Sequence, residues 1–257
     1  MRTLVLPPEC SGEGRRRLTG KPFHHLCHVR RTAVGSRFDA IDEDGGRYEV
    51  VLVAIHEASC DIDVVPVSPR FEPALPRLVL YQGLPKGRKL DQIIRQCTEA
   101  GIDEIRPFFS RYTVVETRGD ERDARKRERW ESVAREAVQQ SGRVTIPSVF
   151  APIGLDAIAS VREPESIGLL FHEAPLAQAP LAQATLHEYL TGSPQTVVMV
   201  VGGEGGLAPD EVDVLTGEAG YHPVYLGPTV LRTETAAIYA LAAVRTILRE
   251  KPTWRSD

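Results

Sequence analysis

The chain has 257 residues, 42% of them hydrophobic and 26% charged, with a formal net charge of −4. These values are close to the average for soluble globular proteins, and they exclude a disordered chain, a collagen-like chain and a small disulfide scaffold. The length allows one large domain or two ordinary ones. The apolar run 197–201 is far shorter than the ~20 residues that span a bilayer, and the start of the chain has no signal-peptide core. We therefore expect a cytoplasmic protein with no membrane span.

Positive charge is concentrated near the start of the chain. Residues 1–37 carry eight Lys or Arg and two Glu, a local charge of +6 that leaves −10 for the remainder. A basic segment on an acidic body is typical of a face that binds a polyanion, and an ordinary solvated run of charges gives the same pattern. On charge alone both interpretations stay open.

The cysteine and histidine spacings predict neither a disulfide framework nor a metal site. The four cysteines are scattered and include no Cys-x-x-Cys pair. His24 and His28 have the i, i+4 spacing of two ligands on a helix, but no second pair of ligands matches them. Ordinary helix residues are the favoured interpretation, and we expect no metal.

The first part of the chain shows the pattern of a small β-barrel. Helical periodicity is confined to residues 22–31, and short extended stretches follow at 37–41, 48–55 and 62–67. The turn signal Asp44-Gly45-Gly46 suits a hairpin between the first two stretches. Several prolines then mark a linker, so the sequence predicts a domain over residues 1–72 and a second domain over residues 73–257.

From Leu78 onward, strands and helices alternate. Two continuous apolar runs, 167–171 and 197–201, have the form of central parallel strands that are buried on both faces. Stripes of apolar residues at helical spacing surround Ile93, Trp130 and Leu241. The pattern predicts an α/β domain with a parallel sheet.

Three unusual loops follow predicted strands of this sheet: 171–173, 202–207 and 226–235. In open α/β sheets, ligands bind beyond the carboxyl ends of the strands. The second loop has four glycines in five positions, which indicates a close backbone approach or residues with positive φ. A tight strand-to-helix turn without a ligand is the alternative interpretation.

Common nucleotide and hydrolase motifs do not explain the glycine loop. Gly203-x-Gly205-x-x-Ala208 matches the dinucleotide fingerprint, but it lies on a late strand and the next strand ends without a carboxylate. The sequence has no P-loop motif and no G-x-S-x-G elbow. The remaining interpretation is a site formed mainly by backbone groups, with Leu207, Leu226 and Leu231 as apolar walls for an adenosine.

The segments 202–207 and 226–236 resemble the RsmE-type 16S ribosomal RNA uridine-N3 methyltransferases, which belong to the SPOUT class. The string Leu226-Gly227-Pro228-Thr229-Val230-Leu231-Arg232-Thr233-Glu234-Thr235-Ala236 carries the most specific part of the likeness. Further similar segments are 23–35, 86–101 and 136–147, so the resemblance spans most of the chain. Two departures are Gly203, which stands where the family usually has proline, and the missing aromatic residue after Arg2.

The resemblance implies a PUA-like β-barrel that binds RNA and a SPOUT-type α/β domain with a deep trefoil knot. It also implies a homodimer that uses S-adenosylmethionine (SAM) to methylate N3 of a uridine in 16S ribosomal RNA of the 30S subunit. The implied cofactor residues are Leu170, Phe171, His172, Val201, Gly202, Gly203, Glu204, Gly205, Gly206, Leu226, Gly227, Val230 and Leu231. The implied RNA contacts are Arg2, Arg30, Arg31, Lys86, Lys89, Glu136, Gln140 and Arg143.

Two residues are the candidates for chemistry. A guanidinium fork at Arg232 suits an imide oxygen or a phosphate, and its alternative role is an ion pair with Glu234 or capping of a helix. Glu204 suits a general base or a cofactor contact, and its alternative role is to hold the turn. His172 fits either a cofactor contact or a packed loop residue. A non-catalytic RNA-binding protein with the same fold is the alternative function.

Overall fold

The computed structural model describes residues 3–68, 75–114, 120–160, 165–173, 185–192 and 194–250. Contacts within the chain divide it into two compact units. The first unit comprises Met1–Pro73 and Arg135–Ile146, and the second comprises Ala74–Ala134 and Pro147–Asp257. In the described ranges, no helix is both long enough and apolar enough to cross a membrane.

The first unit is a five-stranded, mostly antiparallel sheet. Its strands are β1 (Leu4–Val5), β2 (Gly14–Thr19), β3 (Arg37–Ile41), β4 (Arg47–Ile55) and β5 (Ser59–Pro66), in the order β1-β3-β4-β5-β2. Only β1 and β3 pair in parallel. The predicted hairpin turn is present: Gly45 has a φ of +84°, and the carboxylate of Asp42 accepts hydrogen bonds from the backbone N–H of Asp44 and Gly46.

Alternate side chains of these strands form the core of the first unit. Leu18, Val50, Leu52 and Ile62 are fully buried there. The segment between β2 and β3 contains helix α1 (Gly20–Phe23) and a π-helical stretch over His24–Val29. The predicted helix over 22–31 is therefore present, with the wider turn of a π-helix over most of its length.

A smaller apolar cluster ties residues 135–146 into the first unit. Val138 is buried against Val5 and Ile41, with Val144 and Ile146 packed beside them. The sequence analysis placed residues 135–146 in the second domain and did not foresee their packing with Val5 and Ile41. The domain limits 1–72 and 73–257, with the roles given to them, stay a prediction.

The second unit is built on an all-parallel sheet, which confirms the predicted α/β class. Its strands are β6 (Arg77–Gly83), β7 (Glu104–Phe109), β8 (Ser148–Val149), β9 (Ile153–Gly154), β10 (Ser166–His172), β11 (Thr196–Val201) and β12 (His222–Tyr225). The order is β12-β10-β11-β6-β7-β8, and β9 also pairs with β7. Its helices are α2 (Lys89–Ala100), α4 (Leu155–Ser160), α5 (Leu186–Tyr189), α6 (Pro209–Asp213) and α7 (Thr233–Glu250), together with the part of α3 (Asp120–Ser141) that ends at Ala134.

Both faces of the parallel sheet are buried, which explains its continuous apolar runs. Leu78 and Leu80 face one core with α2, α7 and part of α3, whereas Val79 and Tyr81 face a second core with α4 and α6. Polar groups can therefore collect only at the strand ends. The trefoil knot stays a prediction of the resemblance.

Candidate active site

The loops after β10, β11 and β12 meet in one open cleft. About 600 Å³ of empty space, part of it open to solvent, lies between them. Thr233 and Ala236 at the start of α7 complete the lining. The full lining is Phe171, His172, Glu173, Val201, Gly202, Gly203, Gly206, Leu207, Leu226, Gly227, Thr229, Leu231, Thr233 and Ala236.

Most of the predicted cofactor residues lie in this cleft, and four do not line it. Leu170 packs into the core that contains Val79 and Tyr81. Its side chain lies on the opposite face of the sheet from that of Phe171, because side chains alternate along a strand. Val230 is 71% exposed outside the lining. Glu204 and Gly205 instead line a neighbouring cavity. The cofactor assignment stays a prediction for all thirteen residues.

Glycine permits the close backbone packing of the cleft. Gly206 and Gly227 have φ values of +68° and +112°, which side-chain-bearing residues rarely adopt. At Gly83, the end of β6, an added Cβ would lie 2.3 Å from the backbone nitrogen of Gly203. The glycine loop therefore rests directly on the backbone of the neighbouring strand.

A buried polar network fixes the glycine loop to α7. The side-chain Nε2 of Gln82 donates hydrogen bonds to the hydroxyl of Thr233 at 2.8 Å and to the carbonyl of Gly202 at 3.2 Å. The Thr233 hydroxyl donates to the same carbonyl at 2.7 Å. The sequence analysis missed Gln82. It also assigned no role to the lining residues Glu173, Thr229, Thr233 and Ala236, although the first three lie in loops that it singled out. A polar residue ending a buried strand was the available signal for Gln82.

Lys89 links two acidic residues of the site. Its ammonium lies 3.0 Å from Oε1 of Glu204 and 3.6 Å from Oε2 of Glu234. The backbone N–H of Lys86 also donates to the Glu204 carboxylate at 3.2 Å. Burial acts to raise the pKa of Glu204, but these hydrogen bonds outweigh it and leave that pKa lowered. The hydrogen bond to Glu204 is the main cause that raises the pKa of Lys89.

These contacts favour a structural role for Glu204 and Lys89. A carboxylate with a lowered pKa is a weak proton acceptor, so Glu204 is better suited to hold the loop than to act as a base. Lys89 was predicted to contact RNA, and here its charge is directed at two carboxylates. The catalytic assignment of Glu204 and the RNA assignment of Lys89 stay predictions.

Arg232 lies immediately before α7, between the lining residues Leu231 and Thr233. Its carbonyl accepts the backbone N–H groups of Thr235 and Ala236. Its side chain is exposed and has no hydrogen bond or ion pair to any described residue. The structure shows no ion pair between Arg232 and Glu234, and the Glu234 carboxylate instead lies 3.6 Å from the ammonium of Lys89. Within the described part of the chain, the guanidinium therefore stays available for a substrate.

The remaining predicted RNA contacts are mostly accessible. Arg31 is exposed with a φ of +51°, the guanidinium of Arg30 lies 5.7 Å from the ring centroid of Phe38, and Nε of Arg143 donates to the Thr145 hydroxyl at 3.0 Å. Lys86, Glu136 and Gln140 are exposed. Arg2 lies outside the described residues. The assignment of these residues to RNA stays a prediction.

The basic N-terminal segment is partly neutralised. Arg15 and Arg17 of β2 form two-bonded ion pairs with Asp63 and Asp61 of β5. Arg37 pairs with Glu49 across β3 and β4. The local charge of +6 thus overstates the positive electrostatic field of residues 1–37, because carboxylates from later strands neutralise part of that charge. In the ranges that the structure describes, no group of three or more His, Cys, Asp or Glu is arranged to hold a metal ion.

Comparisons with known proteins agree with this architecture. A family model described as an RNA methyltransferase domain matches residues 72–245, and one described as an RNA methyltransferase PUA domain matches residues 18–65. The fold and the site thus define an RNA methyltransferase domain that follows a PUA domain, as the resemblance implied.

Individual relatives narrow the family further. The chain is 32% identical to ribosomal RNA small subunit methyltransferase E of Synechocystis sp., over 95% of this chain and 77% of that protein. It is 32% identical to the Bacillus subtilis protein of the same name, over 88% of each. The crystal structure of the Neisseria gonorrhoeae protein of that name, bound to SAM, matches with a TM-score of 0.82 and 26% identity, over 96% of this chain and 98% of that one. The chain belongs to the ribosomal RNA small subunit methyltransferase E family.

Proposed function

We propose that this protein transfers the methyl group of SAM to N3 of a uridine in 16S ribosomal RNA. The observation that carries the proposal is the glycine-walled cleft at the carboxyl ends of β10, β11 and β12. It lies within the part of the chain that matches an RNA methyltransferase domain, in a fold shared with a SAM-bound relative.

The residues of the cleft suit SAM. Leu207, Leu226 and Leu231 offer apolar walls for an adenine ring, and the neighbouring glycine backbone offers amide and carbonyl groups at close range. The carboxylate of Glu173 in the same lining complements a positively charged ligand. These are the groups that would hold the cofactor, which supplies an electrophilic methyl on a sulfonium.

Side chains near the cleft meet the other requirements of the reaction. Uridine N3 must lose its proton as it gains the methyl carbon, so negative charge develops on the flanking carbonyl oxygens. Arg232 is exposed beside the lining and stabilises that charge. Lys89 and Glu204 keep the glycine loop in place, so the proton passes to another group or to water.

The first unit holds the RNA in this proposal. Arg30, Arg31 and Arg143 contact phosphates, with Glu136 and Gln140 beside them on α3, and this unit contains the segment that matches a PUA domain. The family resemblance supports two further parts of the proposal, a homodimer and the 30S subunit as substrate. A ribosomal substrate also places the enzyme in the cytoplasm.

One assay tests the function. Purified protein is incubated with labelled SAM and either unmodified 30S particles or free 16S RNA, and the modified base is mapped. We expect one methylated uridine, modified at N3. Binding of SAM and 30S without methyl transfer would instead favour a non-catalytic RNA-binding protein.

A further inference from the structure

A second cavity lies beside the cofactor cleft, and five of its lining residues have no role assigned above: Leu84, Ser110, Tyr112, Thr113 and Val114. It has about 620 Å³ of empty space, part of it open to solvent. Its lining comes from the loops after β6 and β7 and from the glycine loop: Leu84, Lys86, Ser110, Tyr112, Thr113, Val114, Gly203, Glu204 and Gly205. Gly203 also lines the cofactor cleft, so the two spaces meet at this residue.

The walls of the cavity include unusually exposed apolar side chains. Tyr112 is 49% exposed and Val114 is 66% exposed. The Cβ of Tyr112 packs closely against the glycine loop, since a Cβ added to Gly205 would lie 2.6 Å from it. Unpaired bases stack on exposed aromatic rings of this kind in RNA complexes.

Among the described residues, one hydroxyl donor of the cavity has no acceptor. The Thr113 hydroxyl oxygen accepts the backbone N–H of Ser110 at 2.8 Å and lies 3.1 Å from the Ser110 hydroxyl oxygen. Two hydroxyl protons are present, and that oxygen–oxygen contact uses only one of them. The other proton has no acceptor among the described residues. A ligand with a carbonyl oxygen would satisfy it.

The charge of the cavity also favours a carbonyl-rich ligand. Lys86 is exposed at the wall, while its backbone N–H is engaged by Glu204. A hydroxyl donor and an ammonium both match the two carbonyl oxygens of uracil. Cytosine carries an amino group in place of one of those oxygens, which would leave a donor facing a donor.

We propose that this cavity is the subsite for the target uracil, which stacks on Tyr112 and accepts a hydrogen bond from the Ser110–Thr113 hydroxyl pair. The inference rests on the proposed function, since it places the methyl acceptor next to the cofactor cleft. Tyr112 and Thr113 are then residues that select and position the base.

The test combines kinetics with direct binding. Tyr112→Ala should lower kcat/KM for 30S methylation by a factor on the order of 10 to 100, the range for the loss of one stacked base. Thr113→Val, which keeps the shape, should lower it by roughly 10-fold. Tyr112→Phe keeps the ring and should stay near wild type. Thr191→Val is the matched control, because Thr191 donates to the Glu188 carbonyl and lines neither cavity.

The affinity for SAM and the binding of free nucleotides distinguish a uracil subsite from a part of the cofactor site. By isothermal titration, SAM affinity should be unchanged in Tyr112→Ala and Thr113→Val. Saturation-transfer NMR should detect 5′-UMP more strongly than 5′-CMP on the wild type, and Thr113→Val should remove this preference. Weakened SAM binding would assign the cavity to the cofactor, and equal UMP and CMP signals would overturn base selection. If the wild type bound UMP selectively but methylated no 30S particle, the proposed function would fail and the uracil subsite would not.

Discussion

The two units of the chain place their polar chemistry in different ways. In the first unit, an antiparallel sheet carries its charges on exposed strand faces, where Arg15 and Arg17 meet Asp63 and Asp61. In the second unit, both faces of a parallel sheet are buried, so polar groups gather at the strand ends around Gly203. Surface side chains thus carry the charge of the first unit, whereas loop backbone shapes the cleft of the second.

Arg232 gives the largest expected effect and tests whether chemistry is confined to the second unit. Arg232→Ala should lower the single-turnover rate by a factor on the order of 10² to 10³, because it removes a charge that acts in the transition state. Arg232→Lys should restore part of the rate, since a point charge lacks the planar fork. Arg249→Ala, an exposed arginine at the other end of α7, is the control. An unchanged rate, or a loss explained wholly by weaker SAM binding, would contradict this role.

Gly83 tests the claim that backbone packing shapes the cleft. Gly83→Ala would place a Cβ 2.3 Å from the nitrogen of Gly203 and force the glycine loop to move. Overpacking of this kind destabilises a fold by about 1–3 kcal/mol. Because the loop relieves the clash by leaving its place in the cleft, SAM binding would have to restore the clash, and the affinity should fall roughly 10- to 100-fold. Gly217→Ala is the matched control, because nothing lies within 4 Å of its added Cβ. Titration calorimetry and thermal melts separate a binding defect from unfolding, and wild-type SAM affinity in the Gly83 variant would refute the claim.

Lys89 tests whether a charged side chain also supports the cofactor cleft of the second unit. Lys89→Met should weaken SAM binding by roughly 5-fold, since Glu204 would lose the ion pair that holds it beside the glycine loop. The neighbouring exposed Arg88→Met is the control. If Lys89 instead contacts RNA, the variant should weaken 30S binding and leave SAM binding intact.

The pH dependence of SAM binding follows from the same pair. The pKa of Glu204 is lowered in the folded protein. The stability that its ionised carboxylate contributes is therefore present above the ordinary Glu pKa of ~4.3 and is lost as pH falls through the lowered value. From pH 6 to 8, Glu204 should therefore add no pH dependence to wild-type SAM affinity. Calorimetry across that range, with Lys89→Met alongside, checks this.

Two arginines of the first unit should change RNA affinity without changing the chemistry. Arg31→Gln and Arg143→Gln should each weaken 30S binding a few-fold and reduce the slope of log affinity against log salt by roughly 0.7. The double variant Arg15→Gln/Asp63→Asn removes a paired cation at constant net charge, so it should leave the slope unchanged. Filter binding at several salt concentrations measures this. A slope that falls equally in the control would mean that the ion pairs open to bind RNA.

The smallest expected effect is at His222, at the start of β12 and away from the strand ends that form the cleft. Burial lowers the pKa of His222, so its contribution to stability is present above the ordinary value of ~6.5 and is lost as pH falls below it. Its ring stacks on Tyr189 with a centroid distance of 4.5 Å. His222→Phe keeps a stacked ring and should make the melting temperature less dependent on pH between 5 and 7.5, by about 1–3 °C. If the melting temperature had the same pH dependence in both proteins, His222 would not be a source of that dependence.

The sequence by itself determined the features that depend on neighbouring residues. Apolar runs such as 197–201 predicted buried parallel strands, and Asp44-Gly45-Gly46 predicted a hairpin, because each depends on local hydrophobic pattern or turn geometry. The string 226–236 and the glycine loop indicated the family and the edge of the sheet that carries the cleft. These predictions needed no knowledge of distant pairings.

Only the tertiary structure decided which side chains face one another across long separations in sequence. Glu204 meets the backbone of Lys86 from 118 positions away, and Gln82 meets Thr233 from 151 positions away. Strand alternation turned Leu170 away from the cleft, and the pairing of β2 with β5 neutralised charges that look free in the sequence. Charge and hydrogen-bonding capacity are properties of a residue, but whether they are already satisfied depends on partners that only the folded chain brings near.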